Sequence, residues 1–432
     1  MENLDLTLNP NALLLVLVFI IGYACITFEH ITKINKTAVA LVMGIICWVL
    51  LFTTEACPGQ TNTECFFKHF AGVAQIVLFL LGALTVVEII NIHHGFKVIS
   101  DFIELTSKKK LLWALGILGF FLSSVLDNLT TTIVMITLLS KLATKSEDRL
   151  VIGGGIVIAA NAGGAWTPIG DVTTTMLWIG GQVSAGAIMK DLFFPSFICL
   201  VVSLLILSRQ LEGDFPKAFR GKDQDIEPNG NIILMLGIGA LIMVPVFKVV
   251  TGLPPFMGVL FGVSVLWVIV DLMHRNHPDR SHLLVPQALK HVDLSSTFFF
   301  LGILLCIATL DVANVLGVMA NWFDEKVGNE VIIATGIGLV SAVVDNVPLV
   351  AASMGMYDLN AYPPNSLFWE LIAYCAGTGG SILVVGSAAG VVYMGLEKVD
   401  FLWYVKRISL SALAGYFAGI GIYLLQTYVS NL

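Results

Sequence analysis

Two aspartates in apolar surroundings share one local pattern. Ser123-Ser124-Val125-Leu126-Asp127-Asn128 returns 218 positions later as Ser341-Ala342-Val343-Val344-Asp345-Asn346. A glycine-rich break follows each copy. The first runs from Gly163 through Pro168 to Asp171, and the second, offset by 216, from Gly379 to Ser387. A third pair lies upstream, Glu88-x-x-Asn91 and Asp311-x-x-Asn314, offset by 223. Carboxylates without lysine or arginine beside them point to a cation as cargo.

An aspartate at the bilayer centre costs roughly 2.5–3.5 kcal/mol on insertion scales, so it is read as functional by default. Burial favours the neutral acid and a bound cation favours the carboxylate, so a proton and an ion compete for one site. Competition of that kind is exchange without further machinery. The structural alternative is that Asp127 and Asp345 cap the half-helices that follow, with Asn128 and Asn346 steadying the tips. Asp171 breaks the two-fold pattern, because its counterpart is Ser387; N-capping is its alternative role. Asn161, Thr130, Thr173, Thr378 and Ser381 are candidate neutral oxygen ligands, or else packing and helix–helix hydrogen-bonding residues. Glu88 and Asp311 are candidates for a gate or proton path, against simple interfacial polarity.

These side chains need a membrane scaffold. The chain is 57% hydrophobic and 12% charged, with a mean hydropathy of +0.88. A soluble domain carries about 25% charged residues. Ten apolar stretches have spanning length of about 20 residues: 11–28, 37–53, 70–92, 150–178, 186–207, 231–250, 255–271, 295–316, 366–396 and 404–428. Two more, 111–143 and 330–356, are interrupted by the Asp-Asn motif and read as re-entrant hairpins.

The expected fold is an all-α polytopic membrane protein with two inverted-topology repeats and broken helices at the midplane. Repeat one, 1–230, holds three spans, the hairpin 111–143, the broken span 150–178, the span 186–207 and a polar linker. Repeat two, 231–432, holds three spans, the hairpin 330–356, the broken span 366–396 and the last span 404–428. On this plan 19 of 23 Lys and Arg fall on one face, leaving Lys68, Lys190, Lys248 and Lys326 on the other. The positive-inside rule makes the rich face cytoplasmic and both termini external. Segments 95–103 and 317–323 are expected to lie along the interface. Cys57 and Cys65 share an external loop, where a disulfide is possible.

Longer stretches carry a resemblance. FFLSSVLDNLTTTIVM (120–135), NAGGAWTPIGDVTTTMLWIGGQ (161–182), SAVVDNVPLVAAS (341–353) and GYACITFEHITKINKTAVAL (22–41) resemble the NhaD family of Na⁺/H⁺ antiporters, over nearly the whole chain. The resemblance implies exchange of Na⁺, often Li⁺, for H⁺ at alkaline pH across a bacterial inner membrane. It implies a homodimer with elevator-type motion. It puts Ser123, Asn128, Asn161, Asp171, Thr173, Ser341, Asn346 and Ser381 at functional positions. The ions are cargo, and neither a cofactor nor a nucleic-acid partner is expected.

Two rival readings stand beside it. One is a cation-coupled organic anion carrier, which needs a basic or amide-lined pocket. The other is an intramembrane aspartyl protease, which needs two aspartates sharing a proton; the usual Gly-x-Gly-Asp is absent, since Asp171 follows Pro168-Ile169-Gly170.

Overall fold

The fold is built almost wholly from apolar helices, so most backbone groups find their partners within their own segment, as hydrocarbon demands. The computed structural model describes residues 9–27, 29, 33–54, 57, 59–97, 105–144, 146–215 and 227–430. The expected interfacial segment 95–103 and the linker of repeat one lie partly outside these residues.

The first part of the chain forms α1 (Ala12–Thr27), α2 (Lys36–Phe52), α3 (Asn62–Ile92), α4 (Lys108–Leu126), α5 (Asn128–Leu142), α6 (Glu147–Gly164), α7 (Val172–Gly180) and α8 (Ala185–Ser208). The second part forms α9 (Gly230–Thr251), α10 (Pro255–His274), α11 (Val285–His291), α12 (Leu294–Val312), α13 (Val315–Lys326), α14 (Glu330–Val340), α15 (Asn346–Met356), α16 (Leu367–Gly379), α17 (Ala388–Glu397), α18 (Phe401–Tyr404) and α19 (Leu410–Ser430). A π-helical turn, Val405–Ser409, joins the last two.

Local chemistry sets the ends. Thr61 and Glu64 form a capping box at the start of α3, and Pro255 occupies the first position of α10. Gly181 and Gly252 close α7 and α9 in the left-handed conformation. Seven described helical segments are long and apolar enough to cross a membrane: Asn62–Ile92, Lys108–Leu126, Ala185–Ser208, Gly230–Thr251, Pro255–His274, Pro278–Val312 and Phe401–Ser430. The outward faces are apolar too, with Leu13, Met235 and Val249 among the most exposed side chains. That is the surface a lipid environment would cover.

Contacts come in matched sets. α4 runs along α6, and α14 along α16. α5 packs on α17, and α15 on α7. α2 packs on α12, and α10 on α3. The two innermost helices, α6 and α16, are buried along most of their length and stop at the two glycine-rich breaks. At the far end of this unit the Arg149 guanidinium donates to Glu397 through Nε at 3.1 Å, tying the start of α6 to the end of α17. A disulfide joins Cys57, ahead of α3, to Cys65 near the start of that helix. The segment 317–323 lies in α13, with Met319 and Trp322 exposed.

Candidate cation site

Each Asp-Asn motif sits where two short helices meet, and each meeting point is pressed onto a break. Ser123 Oγ donates to the Ala160 carbonyl at 2.6 Å, and Ser341 Oγ to the Ala376 carbonyl at 2.9 Å. Small residues allow this approach. A Cβ at Gly170 would lie 2.7 Å from the Ser123 carbonyl oxygen, and one at Gly386 would lie 2.6 Å from that of Ser341. Serine and glycine thus act as a pair in both halves.

Asp171 is the centre of the polar network. It is 1% exposed and begins α7. Its Oδ1 accepts from the Thr173 backbone N–H and from Thr173 Oγ1, both at 2.9 Å. Its Oδ2 accepts from Asn128 Nδ2 at 2.7 Å and from Asn346 Nδ2 at 3.2 Å. The asparagines of both motifs therefore converge on one carboxylate. Asn128 Nδ2 also donates to Asn161 Oδ1 at 3.0 Å. Asn161 Nδ2 in turn donates to Ser381 Oγ at 2.8 Å and Ser387 Oγ at 2.9 Å. Seven polar side chains from α5, α6, α7, α15 and the second break form one connected set.

The two aspartates of the motif stand differently. Asp127 caps α5: its Oδ1 accepts from the Thr130 N–H at 2.7 Å and its Oδ2 from Thr130 Oγ1 at 2.9 Å. Its φ of 95° is a conformation that a side chain rarely adopts, at a cost of about 1–3 kcal/mol. Asp345 starts α15 without a side-chain cap bond, and its backbone N–H donates to Tyr23 Oη of α1 at 3.0 Å. A cavity of about 50 Å³ opens beside Asp127, Asn128 and Asp171, walled by Phe79 and Leu80 of α3 and Phe300 of α12. That is room for a few waters or a small cation.

Of the sequence candidates, Asp171, Asn128, Asn346, Asn161, Thr173 and Ser381 are joined directly, and Asp127 and Thr130 border the same cavity or its cap. Ser123 and Ser341 hold the two helix junctions on the breaks. Thr378 is turned away, its Oγ1 donating to the Tyr374 carbonyl at 2.6 Å within its own helix. Glu88 lies near the end of α3 and accepts from Asn91 Nδ2 at 3.2 Å, one turn later. Asp311 lies near the end of α12. Neither hydrogen-bonds into the Asp171 network.

Ser387 and Tyr23 are the residues the sequence reading did not place in the site. Ser387 caps α17, accepting from the Gly390 N–H at 3.2 Å while it accepts from Asn161. Its correspondence to Asp171 was the available signal. For Tyr23, the stretch 22–41 carried the family resemblance but assigned this side chain no role. The polarity is one-sided: Asp171, Asn161 and Thr173 correspond to Ser387, Gly377 and Ala389. A Cβ at Gly377 would lie 3.2 Å from that of Ala165 and 3.9 Å from the Asn161 carbonyl oxygen.

The citrate transporter (CitMHS) family model matches residues 15–377. The chain belongs to that family. Sodium/proton antiporter 1 of Arabidopsis thaliana is 51% identical over 418 residues, covering 94% of this chain and 71% of the relative. Sodium/proton antiporter 2 of the same plant is 49% identical, covering 94% and 98%. The Na(+)/H(+) antiporter NhaD of Vibrio cholerae is 27% identical, covering 99% and 94%, so the NhaD resemblance extends along the chain. The YdaH transporter of Alcanivorax borkumensis is similar in fold, with a TM-score of 0.59 over 90% of this chain and 98% of that one at 12% identity. This member of the CitMHS family is a transporter and not an enzyme, which removes the protease reading.

Proposed function

We propose that the protein exchanges Na⁺, and also Li⁺, for H⁺, with Asp171 as the shared site. The observation that carries this reading is the convergence of Asn128 and Asn346 on the Asp171 carboxylate. A side-chain amide offers nitrogen donors on one side and an oxygen acceptor on the other. In the structure the two amides donate to the carboxylate. Turned over, they offer oxygen to an ion held by that carboxylate, and hard cations prefer oxygen ligands. Protonation of the carboxyl releases the ion, so one site serves both cargoes.

The architecture proposed is ten spans and two re-entrant hairpins, α4–α5 and α14–α15, in inverted repeats. The exchanged contacts of α2 with α12 and of α10 with α3 support it. So does the parallel use of Ser123 and Ser341. The hairpins with α6, α7, α16 and α17 form the part that moves in elevator fashion against α3 and α12. The molecule is a homodimer in a bacterial inner membrane, with the basic face inside and both termini outside. Glu88 and Asp311 serve as gate or proton-path residues at the ends of α3 and α12.

The family description favours a second reading, an organic anion carrier. A carboxylate at the centre of the network opposes it, and no lysine or arginine is among the described residues bonded to that network.

Proteoliposomes carrying a ΔpH provide the test. Addition of Na⁺ or Li⁺, but not buffer alone, is expected to dissipate the gradient for the wild type and not for Asp171→Asn. Asp127→Asn and Asp345→Asn rank the two junctions. Absence of cation-driven proton movement from pH 7 to 9.5 in well-folded protein would remove the antiport reading in favour of radiolabelled organic anion uptake.

A further inference from the structure

Two buried histidines meet where α3 and α10 end, and neither hydrogen-bonds into the Asp171 network. His93 is the residue just past α3, and His274 is the last residue of α10, 3% exposed. Their Nε2 atoms lie 3.2 Å apart. His93 Nδ1 lies 2.7 Å from the Ile89 carbonyl oxygen, one turn back in α3. A carbonyl only accepts, so this nitrogen carries a proton, and in the neutral ring Nε2 is left with a free lone pair. A backbone carbonyl holding the far N–H is the usual outer partner of a metal-ligating histidine, because it fixes both tautomer and ring plane.

The spacing fits a shared ion. Two nitrogens bound to one tetrahedral zinc at about 2.0–2.1 Å each lie about 3.3 Å apart. A hydrogen bond between the rings matches that distance as well, but it does not account for what surrounds them. His274 opens the run His274-x-x-His277-x4-His282, carried by the end of α10 and the 3₁₀ segment Pro278–Leu283. Glu227, just ahead of α9, has its Oε1 3.4 Å from His282 Nε2. The charges of Glu227 and His282 act on both buried rings. Both side chains are partly exposed, so rotation can bring them onto an ion seated on the pair. Arg280, a cation in the same stretch, faces Asp279 at 3.8 Å.

We propose that His93 and His274 hold one Zn²⁺ through their Nε2 atoms, with His282 and Glu227 closing a tetrahedral set of three nitrogens and one oxygen. Imidazoles with one carboxylate suit zinc and its neighbours, whereas Mg²⁺ and Ca²⁺ take oxygen shells. Four protein ligands leave no open position, so the site is structural. The ion ties α3 to α10 and to the start of α9. α3 also lends Phe79 and Leu80 to the cavity beside Asp171, so zinc fixes a helix that walls the transport site.

The test is metal binding by the chelator-stripped full chain in detergent, a readout independent of transport. Co²⁺ serves as a visible stand-in, absorbing strongly when tetrahedral and weakly when octahedral. The wild type is expected to take up Co²⁺ with the strong tetrahedral bands, to lose them on addition of equimolar Zn²⁺, and to show a higher Tm with Zn²⁺ than without. His93→Gln and His274→Gln should each weaken Zn²⁺ binding by at least about tenfold, the lower end of what loss of even an outer partner costs. Glu227→Gln/His282→Gln changes only partly exposed side chains; it should weaken binding as much while the zinc-free Tm stays at the wild-type value, which separates ligation from folding. His69→Gln, beside the Cys57–Cys65 disulfide, should bind as the wild type does. Octahedral Co²⁺ bands, or no rise in Tm with Zn²⁺ in the folded wild type, overturn the proposal. So does Zn²⁺ binding that survives both buried variants, which leaves the two rings as a hydrogen-bonded pair. Binding unchanged in the Glu227/His282 variant overturns the four-ligand set, and loss in His69→Gln places the metal elsewhere.

Discussion

Asn346 and Asp171 lie 175 positions apart in sequence and meet at 3.2 Å, the Asn346 amide donating to the carboxylate that Asn128 also reaches at 2.7 Å. One buried acid is thus held by an asparagine from each half of the chain. Removing the acid and removing either amide should consequently differ in kind.

Asp171→Asn is expected to lower exchange by at least about a hundredfold with the fold retained, because the amide can still accept from Thr173 but cannot release a proton. Asn128→Ala and Asn346→Ala should each lower it less, and together by less than the product of the two. Such non-additivity is the mark of groups sharing one partner. Initial rates of ΔpH dissipation for the four variants check it, and a purely multiplicative double would show that the amides act independently.

The two motif aspartates should separate in stability. Asp127→Ala removes two capping bonds from α5 and is expected to cost about 1–2 kcal/mol. Asp345→Ala removes no side-chain cap from α15 and should be near neutral. Thermal unfolding in detergent reads the difference; an equal fall in Tm for both would contradict it.

Proton and cation share one carboxylate in the proposed cycle, so pH should act on apparent affinity before it acts on maximal rate. Where the free site is mainly protonated, the apparent KM for Na⁺ should fall about tenfold per unit rise in pH, because ion binding then displaces one proton. Initial rates at several Na⁺ concentrations between pH 6.5 and 9 measure this. A KM flat with pH across that range, together with a maximal rate that still changes with pH, would place proton and ion on separate groups.

Glycine contacts give a steric test. Gly170→Ala and Gly386→Ala would each put a methyl group inside contact distance of a backbone carbonyl, Ser123 or Ser341 respectively. Backbone cannot move aside as a flexible side chain can, so a cost of about 1–3 kcal/mol is expected in both, with loss of transport. Gly421→Ala, where nothing lies within 4 Å, is the control and should behave as the wild type.

A fifth expectation concerns the buried pair at the other end of α6. Glu397 is nearly inaccessible, so Arg149→Met alone strands a charge and should cost about 3–5 kcal/mol. Arg149→Met with Glu397→Leu should recover most of that in a chemical or thermal unfolding series. A double variant as unstable as the single would mean that the arginine matters through its bond to the Ala143 carbonyl instead.

Much of this arrangement was legible in the sequence because interruptions leave plain marks. The stretch 111–143 resolves into α4 and α5 with Asp127 alone between them, and 150–178 into α6 and α7 around the glycine-rich break. Asp-Asn, Gly-Gly and Pro are poor company for a continuous apolar helix, and their positions date the breaks to within a few residues. What the sequence could not rank was the acids. Asp127 and Asn128 are neighbours on a helix start, about 100° apart around its axis, and only the packing decides which one faces inward. The asparagine does. Thr378 shows the same limit in reverse: its spacing suits a ligand, but its own helix offers a nearer carbonyl. Tyr23 reaches Asp345 through tertiary packing alone, and no local pattern in α1 announces it.

Asn161 and Gly377 hold corresponding places on the two inner helices. The asparagine bonds to Ser381 and Ser387. A side chain added at Gly377 would begin 3.2 Å from the Ala165 Cβ, so a place that the sequence pattern offers twice is filled by an amide once.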